Sequence, residues 1–288
     1  MANSNGWGDG AGNNAIGWGQ GAVNNSISWG DSHKKSWAGL TDIVGFAYET
    51  EYTAVLDRAT ALGYSLPSES VRTKQNTLLA SLKSTGVWAK LDVFYVFAQD
   101  GGADFGTLNW KNPNANQSTL VNTPTFVSNG GLQGNGTSSY IDTNYNPATQ
   151  GVQYTQNNAS RYFFTHAIGT GRFDGNTTSG INSIALGTLV SQRINAGSNP
   201  AVPSIDINST ANTKSIHRTS STAVTAYNST AAQVVVQTSA SIASANQWIL
   251  RSGANSSTHT CAAYGMGASM IAEHSAFIAD WNTYKSSL

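Results

Sequence analysis

The sequence predicts a mainly β protein: a two-sheet sandwich of jelly-roll type, with a small helical hairpin before it, a C-terminal helix, and an N-terminal collar of 11-residue repeats. Three observations carry this expectation. From residue 87 onward, apolar pieces of four to eight residues alternate with turns rich in Gly, Asn, Ser and Thr. Ahead of them, Tyr52, Val55, Leu56, Ala59 and Leu62 recur at helical steps. The first 30 residues write one phrase twice and begin it a third time. The expected organisation is therefore a repeat collar over residues 1–37, a hairpin shoulder over 38–86 and a sandwich with its C-terminal helix over 87–288.

The repeat aligns Trp7-Gly8-Asp9-Gly10-Ala11-Gly12-Asn13-Asn14-Ala15-Ile16-Gly17 with Trp18-Gly19-Gln20-Gly21-Ala22-Val23-Asn24-Asn25-Ser26-Ile27-Ser28, and Trp29-Gly30-Asp31 restarts it. Each copy reads as a short strand with Ile and Trp on one face, followed by a tight reversal at the Asn-Asn and Gly positions. A unit this small cannot bury its own tryptophan. Trp7, Ile16, Trp18, Ile27 and Trp29 are thus expected to be anchoring and assembly residues, buried between chains or in a socket on a larger body. The basic run His33-Lys34-Lys35 that follows reads as a solvated linker.

In the hairpin, Gly63 ends the first helix and Ser68 is placed to cap the second, whose apolar stripe runs through Val71, Leu78, Leu79 and Leu82 to Gly86. The pattern then changes. Leu91 to Phe97 is aromatic and β-branched with apolar residues on both faces, as a strand buried on both sides requires. Further strands are expected at 125–127, 139–143, 161–168, 181–189, 204–207, 215–218, 222–227, 233–237, 248–252 and 260–266. Glu273, Phe277, Ile278, Trp281 and Tyr284 return to helical spacing, which predicts an amphipathic helix over 271–286.

Composition narrows the function. Charged residues are 10% of the 288, with 15 basic and 15 acidic side chains, so no electrostatic footprint for nucleic acid or an anionic membrane exists. Neither a signal peptide nor an apolar run long enough to span a bilayer is evident, which leads to the expectation of a chain made in a cytoplasm and not inserted in a membrane. With Cys261 alone, no intrachain disulfide and no cysteine-based zinc site can form.

No catalytic constellation emerges. Glycan hydrolysis needs two carboxylates facing one cleft. The acids after residue 90 are Asp92, Asp100, Asp104, Asp142, Asp174, Asp206, Glu273 and Asp280, without the alternation that would set two of them on one strand face. His166, His217, His259 and His274 lie on separate segments, away from metal-ligand spacing, so no metal site and no cofactor are expected. Asp142, Asp100 and Asp104 are the set that could hold calcium if their oxygens converged. Gly169-Thr170-Gly171 and Asn129-Gly130-Gly131 lack the lysine and helix of a phosphate loop and read as hairpin turns. Among aromatics able to stack on sugar rings, Trp110, Tyr140, Tyr145, Tyr154, Tyr162 and Tyr227, the expected ligand-binding pair is Trp110 and Tyr145, because both fall in predicted loops.

The repeats, the hairpin, and the segments Gly86-Val87-Trp88-Ala89-Lys90-Leu91-Asp92-Val93-Phe94-Tyr95, Gly134-Asn135-Gly136-Thr137-Ser138-Ser139-Tyr140-Ile141-Asp142-Thr143 and Phe277-Ile278-Ala279-Asp280-Trp281-Asn282-Thr283-Tyr284 together resemble a group of bacteriophage virion proteins. These pair an N-terminal repeat collar with a concanavalin A-like lectin/LamG jelly roll. The resemblance implies a structural subunit of a tail fibre, head fibre or appendage. It also implies a homotrimer whose N-terminus engages other virion proteins, with the lectin-like body displayed toward a host-surface glycan. The other readings are a head-fibre decoration protein without a receptor and, further off, a glycan depolymerase. The expected location is the virion and the expected role non-enzymatic. None of the family's binding residues has a matching motif here.

Overall fold

The computed structural model describes residues 47–177, 184–185, 193–197 and 213–288. The repeat collar, with Trp7, Ile16, Trp18, Ile27 and Trp29, lies outside the described residues, as do the expected strand at 204–207, Asp206 and most of the expected strand at 181–189. Tyr48–Leu288 forms one compact unit.

Two helices open it. In α1 (Thr50–Ala61), Tyr52, Val55, Leu56 and Ala59 are buried, and Gly63 beyond its end takes a left-handed φ of +72°. In α2 (Glu69–Ser84), the Ser68 hydroxyl accepts from the Val71 amide at 3.4 Å, and Val71, Leu78, Leu79 and Leu82 are buried. The two polar residues on that buried face are both satisfied. Tyr52 Oη donates to Gln75 Oε1 at 2.5 Å, Gln75 Nε2 donates to Tyr284 Oη at 3.2 Å, and Glu49 N donates to Asn76 Oδ1 at 2.6 Å.

After a single turn, α3 (Val87–Lys90), the chain enters β1 (Leu91–Val96). There follow α4 (Ala103–Gly106), β2 (Thr119–Val121), β3 (Thr125–Val127), β4 (Gly131–Gln133), β5 (Tyr140–Asp142), α5 (Pro147–Gln150), β6 (Ala159–Ala167), β7 (Arg172–Gly175) and β8 (Ile184–Ala185). The chain continues through β9 (Thr213–Arg218), β10 (Ala223–Asn228), β11 (Ala231–Val236), β12 (Trp248–Ile249), β13 (Arg251–Ser252), β14 (Asn255–Ser256), β15 (Thr260–Gly267) and α6 (His274–Ser287).

The described strands form an eight-stranded sheet, β11-β10-β9-β6-β15-β4-β3 with β1 also on β15, a five-stranded sheet, β2-β5-β12-β7-β8, and a two-stranded one, β13-β14. Every pairing is antiparallel. The protein is mainly β, and the eight-stranded sheet is covered on both faces, which divides the core in two. On one side Phe94, Val96, Tyr162 and Phe164 pack with Tyr52, Leu79, Phe277 and Trp281 of the helices. On the other, Val93, Tyr95, Phe163 and Tyr264 pack with Ile141, Phe173 and Ile249 of the five-stranded sheet. Burial on both faces explains why β1 shows no polar alternation. A register shift between Leu91 and Val93 puts Leu91 on the helical side with Phe94.

The hairpin thus shares one hydrophobic core with the larger sheet, with Trp110 and Phe94 in it. Strand β15 is buried along its whole length, and its small residues are the reason it fits: a Cβ on Gly267 would stand 1.9 Å from the Lys90 carbonyl oxygen. Four of the shorter strands, β2, β4, β7 and β14, have no counterpart among the expected strands, because two to four residues carry too little periodicity to register. Among the described residues no helix is long and apolar enough to cross a membrane.

Candidate functional site

The outward face of the five-stranded sheet gathers the chemistry that the sequence scatters. In β5, Ile141 is fully buried while Tyr140 and Asp142 on either side are half-buried, so those two point away from the core. In β12, Ile249 is buried and Trp248 points out, and the register sets Trp248 opposite Asp142. Alternation in two neighbouring strands therefore places Tyr140, Asp142 and Trp248 side by side.

The Tyr140 and Trp248 rings have centroids 4.7 Å apart and planes tilted by 46°. The Arg251 guanidinium lies 4.9 Å from the Tyr140 ring centroid and 5.6 Å from that of Trp248. It is steadied by Nε donating to Gly253 O at 2.8 Å and Nη1 to Ser138 O at 3.4 Å. Arg251 reaches this place through an unusual backbone. Leu250 between β12 and β13 has a φ of +68°, a conformation costly for a branched side chain, held by its complete burial and by its amide donating to Phe173 O at 2.7 Å.

Asp142 is fixed in orientation by three donors. Asn144 N and Asn246 Nδ2 give hydrogen bonds to Oδ1 at 2.8 and 3.1 Å, and Trp248 Nε1 gives one to Oδ2 at 3.1 Å. A carboxylate offers about four lone-pair sites, so one stays open toward solvent. Asn144, at a φ of +52°, in turn donates through Nδ2 to Gln117 O and Thr119 Oγ1 at 2.7 and 2.9 Å. The result is a shallow platform of two aromatic faces, a guanidinium and a rigid acceptor, suited to a polyhydroxylated ligand with C–H faces and hydroxyls.

Trp110 and Tyr145, the pair expected from sequence, are not part of it. Both are 1% exposed. Trp110 sits in the helical-side core with ring centroids 5.3 Å from Tyr52 and 5.9 Å from Phe94. Tyr145 lies between the sheets with its hydroxyl donating to Asp92 Oδ2 at 2.9 Å, and burial with that neighbouring carboxylate pushes its pKa far up. Their place in predicted loops misled, because these loops fold back over the sandwich and carry their aromatics inward. Tyr140 was within reach of sequence reasoning; Trp248 and Arg251 were hidden inside a predicted strand, where the Tyr-Ile-Asp and Trp-Ile alternation was the available signal.

Other titratable groups have structural partners. Asp92 accepts from the amides of Val152, Gln153 and Tyr154 at 3.2, 2.8 and 2.8 Å. Asp100 Oδ1 accepts from Ser68 N at 2.9 Å, Glu273 pairs with Lys90 at 2.7 Å, and Asp280 Oδ2 accepts from Thr85 Oγ1 at 3.2 Å. Asp174 pairs with Arg161 in the interior. Asp104 is exposed in α4, so the three acids considered for calcium serve three different places.

His217 and His274, distant in sequence, meet beside Tyr162 and Tyr227, with imidazole centroids 5.5 Å apart. His274 Nε2 donates to Ser229 O at 2.8 Å and its Nδ1 accepts from Tyr162 Oη at 3.0 Å, an arrangement for a neutral ring. Burial holds both histidines below the ordinary value, His217 the more strongly. The Cys261 thiol is buried, which pushes its pKa well up and makes it a packing residue. Among the described residues no group of three or more His, Cys, Asp or Glu could hold a metal ion.

No protein-family model matches the chain, and no curated protein matches it. A solved structure similar to it is domain 4 of AbnA, a GH43 extracellular arabinanase from Geobacillus stearothermophilus, in complex with arabinotriose. The identity is 12% and the TM-score 0.37, over 66% of this chain and 98% of that one. A likeness of that degree bears on neither ligand nor activity.

Proposed function

We propose that this chain is a non-enzymatic subunit of a bacteriophage particle, a homotrimer anchored by its N-terminal repeats and displaying a concanavalin A-like jelly roll that binds a host-surface glycan. The observation that carries the binding role is the Tyr140–Trp248 platform with Arg251 over it and Asp142 locked at its edge. The antiparallel sheets packed face to face support the jelly-roll assignment. The resemblance of the repeats and framework segments to virion proteins supports the particle assignment. The structural partners of Asp92, Asp100, Glu273 and Asp280 favour binding over hydrolysis. Weak single sites suffice in such an assembly, since several copies on one particle add by avidity.

The test is retention of the purified full chain on host cells and on an array of host-surface polysaccharides. Retention is expected, and Trp248→Ala and Tyr140→Ala should each weaken it by about tenfold, roughly 1.4 kcal/mol. Absence of retention while intact particles adsorb would overturn the receptor role in favour of a decoration subunit. Release of reducing ends from the polysaccharide would overturn the non-enzymatic reading.

A further inference from the structure

The eight-stranded sheet ends in β11, whose outer edge stands apart from the other sheet edges. Described edge strands elsewhere are short, with three residues each in β2 and β3 and two in β8. The free side of β1 is closed by its own chain, with Phe94 N donating to Asn109 Oδ1 at 3.1 Å and Trp110 N donating to Phe94 O at 2.8 Å. Strand β11 is six residues long, Ala231-Ala232-Gln233-Val234-Val235-Val236, and among the described residues it pairs on one side only, with β10. Among the described residues it also lacks the charges, prolines and bulges that keep an edge solitary. Residues 219–250 contain no charged residue, proline or glycine, and the register along β10 runs without a bulge. Val234 and Val236 are 70% and 72% exposed.

The hydrogen-bond phase shows which groups are on offer. Gln237 N donates to Thr222 O at 2.8 Å, and the register pairs Val236 with Ala223. Stepping by two from the Gln237–Thr222 pair, Val235, Gln233 and Ala231 spend their backbone groups on β10, while Ala232, Val234 and Val236 turn N–H and C=O outward.

We propose that β11 is the seam through which two copies of this chain join their eight-stranded sheets, antiparallel about a two-fold axis at Val234. In that register Val234 faces Val234 and each Ala232 faces a Val236, so about six N–H···O=C bonds form with every outward group used. A two-fold perpendicular to the sheet keeps equivalent faces on one side, which brings the exposed valines of both copies into cross-strand contact. A second copy fits this edge because it presents the same uncharged strand with donors and acceptors in complementary phase, and no like charges meet. The seam lies on the eight-stranded sheet and the glycan platform on the five-stranded one, so the two are separate.

Sedimentation velocity on the full chain tests it. Wild type should show a concentration-dependent species of twice the mass found for Val234→Lys or Val234→Pro. Proline at this position removes an outward N–H without costing a bond to β10. Identical mass distributions for wild type and a folded variant would overturn the seam. Hydrogen exchange on wild type reads the same question without substitution. The amides of Ala232, Val234 and Val236 should be protected at high concentration and lose protection at least tenfold on dilution, while Gln233 and Val235 stay protected. Free exchange of those three at every concentration would overturn the proposal. So would protection that survives dilution, since a segment of the same chain would then cover the edge.

Discussion

Arg161 Nη1 stands 2.8 Å from both carboxylate oxygens of Asp174, with both side chains wholly buried between the two sheets. Arg161 belongs to β6 of the larger sheet and Asp174 to β7 of the smaller one, so the pair ties the layers together. Tyr264 Oη donates to Asp174 Oδ2 at 2.7 Å, and Arg161 Nη2 donates to Arg193 O. Burial works against the guanidinium charge, but the Asp174 carboxylate together with Tyr264 and Tyr154 outweighs it, and the Arg161 pKa is raised. Asp174→Ala leaves that charge buried without its partner and should cost about 3–5 kcal/mol in urea unfolding, whereas the double replacement Arg161→Met with Asp174→Leu should cost less than the single one. A single variant losing less than the double would show that the layers are joined by packing alone.

The two tryptophans separate stability from binding. Trp110→Ala removes a fully buried ring between Tyr52 and Phe94 and should cost about 3–5 kcal/mol, with glycan retention intact under conditions where the variant is folded. Trp248→Ala acts on a half-buried ring on the outer sheet face and should cost about 1 kcal/mol while weakening retention. The reverse pattern in melting and retention measurements would return the site to the loops.

The fold was legible where the chain's local pattern and its burial agree. The stripe of Tyr52, Val55, Leu56 and Ala59, the Ser68 cap, the two-faced Leu91–Val96 strand and the Phe277–Trp281 face of α6 are each carried by a local rule. The site was not legible, because it depends on register. Only the pairing of Trp248 with Asp142, about a hundred residues apart in sequence, brings the platform together, and no local pattern encodes that pairing. The same cause hid the contact between His217 and His274 and drew attention to Trp110 and Tyr145, whose loop setting says nothing about which way the loop folds.

Asp92 holds a whole loop through one carboxylate. It accepts from Val152 N, Gln153 N and Tyr154 N and from the Tyr145 hydroxyl, so Asp92→Ala leaves four donors without their acceptor. The expected effect is about 2 kcal/mol of lost stability together with faster limited proteolysis within 147–154, where Val152 already stands 78% exposed. Unchanged cleavage in this segment would mean that the loop is held by Tyr145 and Tyr154 packing instead.

The buried histidines make the fold sensitive to acid. Burial lowers the His259 pKa from the ordinary 6.5 to about 4, lowers that of His217 well below 6.5, and lowers that of His274 too. The unfolded chain binds these protons near pH 6.5 and the folded chain only at lower pH, so unfolding takes up protons in between. Stability is therefore complete above about pH 6.5 and falls as the pH drops toward 4; the His259 shift alone amounts to on the order of 3 kcal/mol over that window. Urea midpoints between pH 7.5 and 4.5 should decline with falling pH, and the slope should flatten in His259→Gln, which cannot take up the proton. His259 stacks on Phe173 with ring centroids 4.1 Å apart and its Nδ1 accepts from Gly169 N at 2.8 Å, so a neutral residue of similar reach keeps the acceptor while removing the titration. A midpoint independent of pH across this range would require the histidines to titrate alike in the folded and unfolded chain, which their burial opposes.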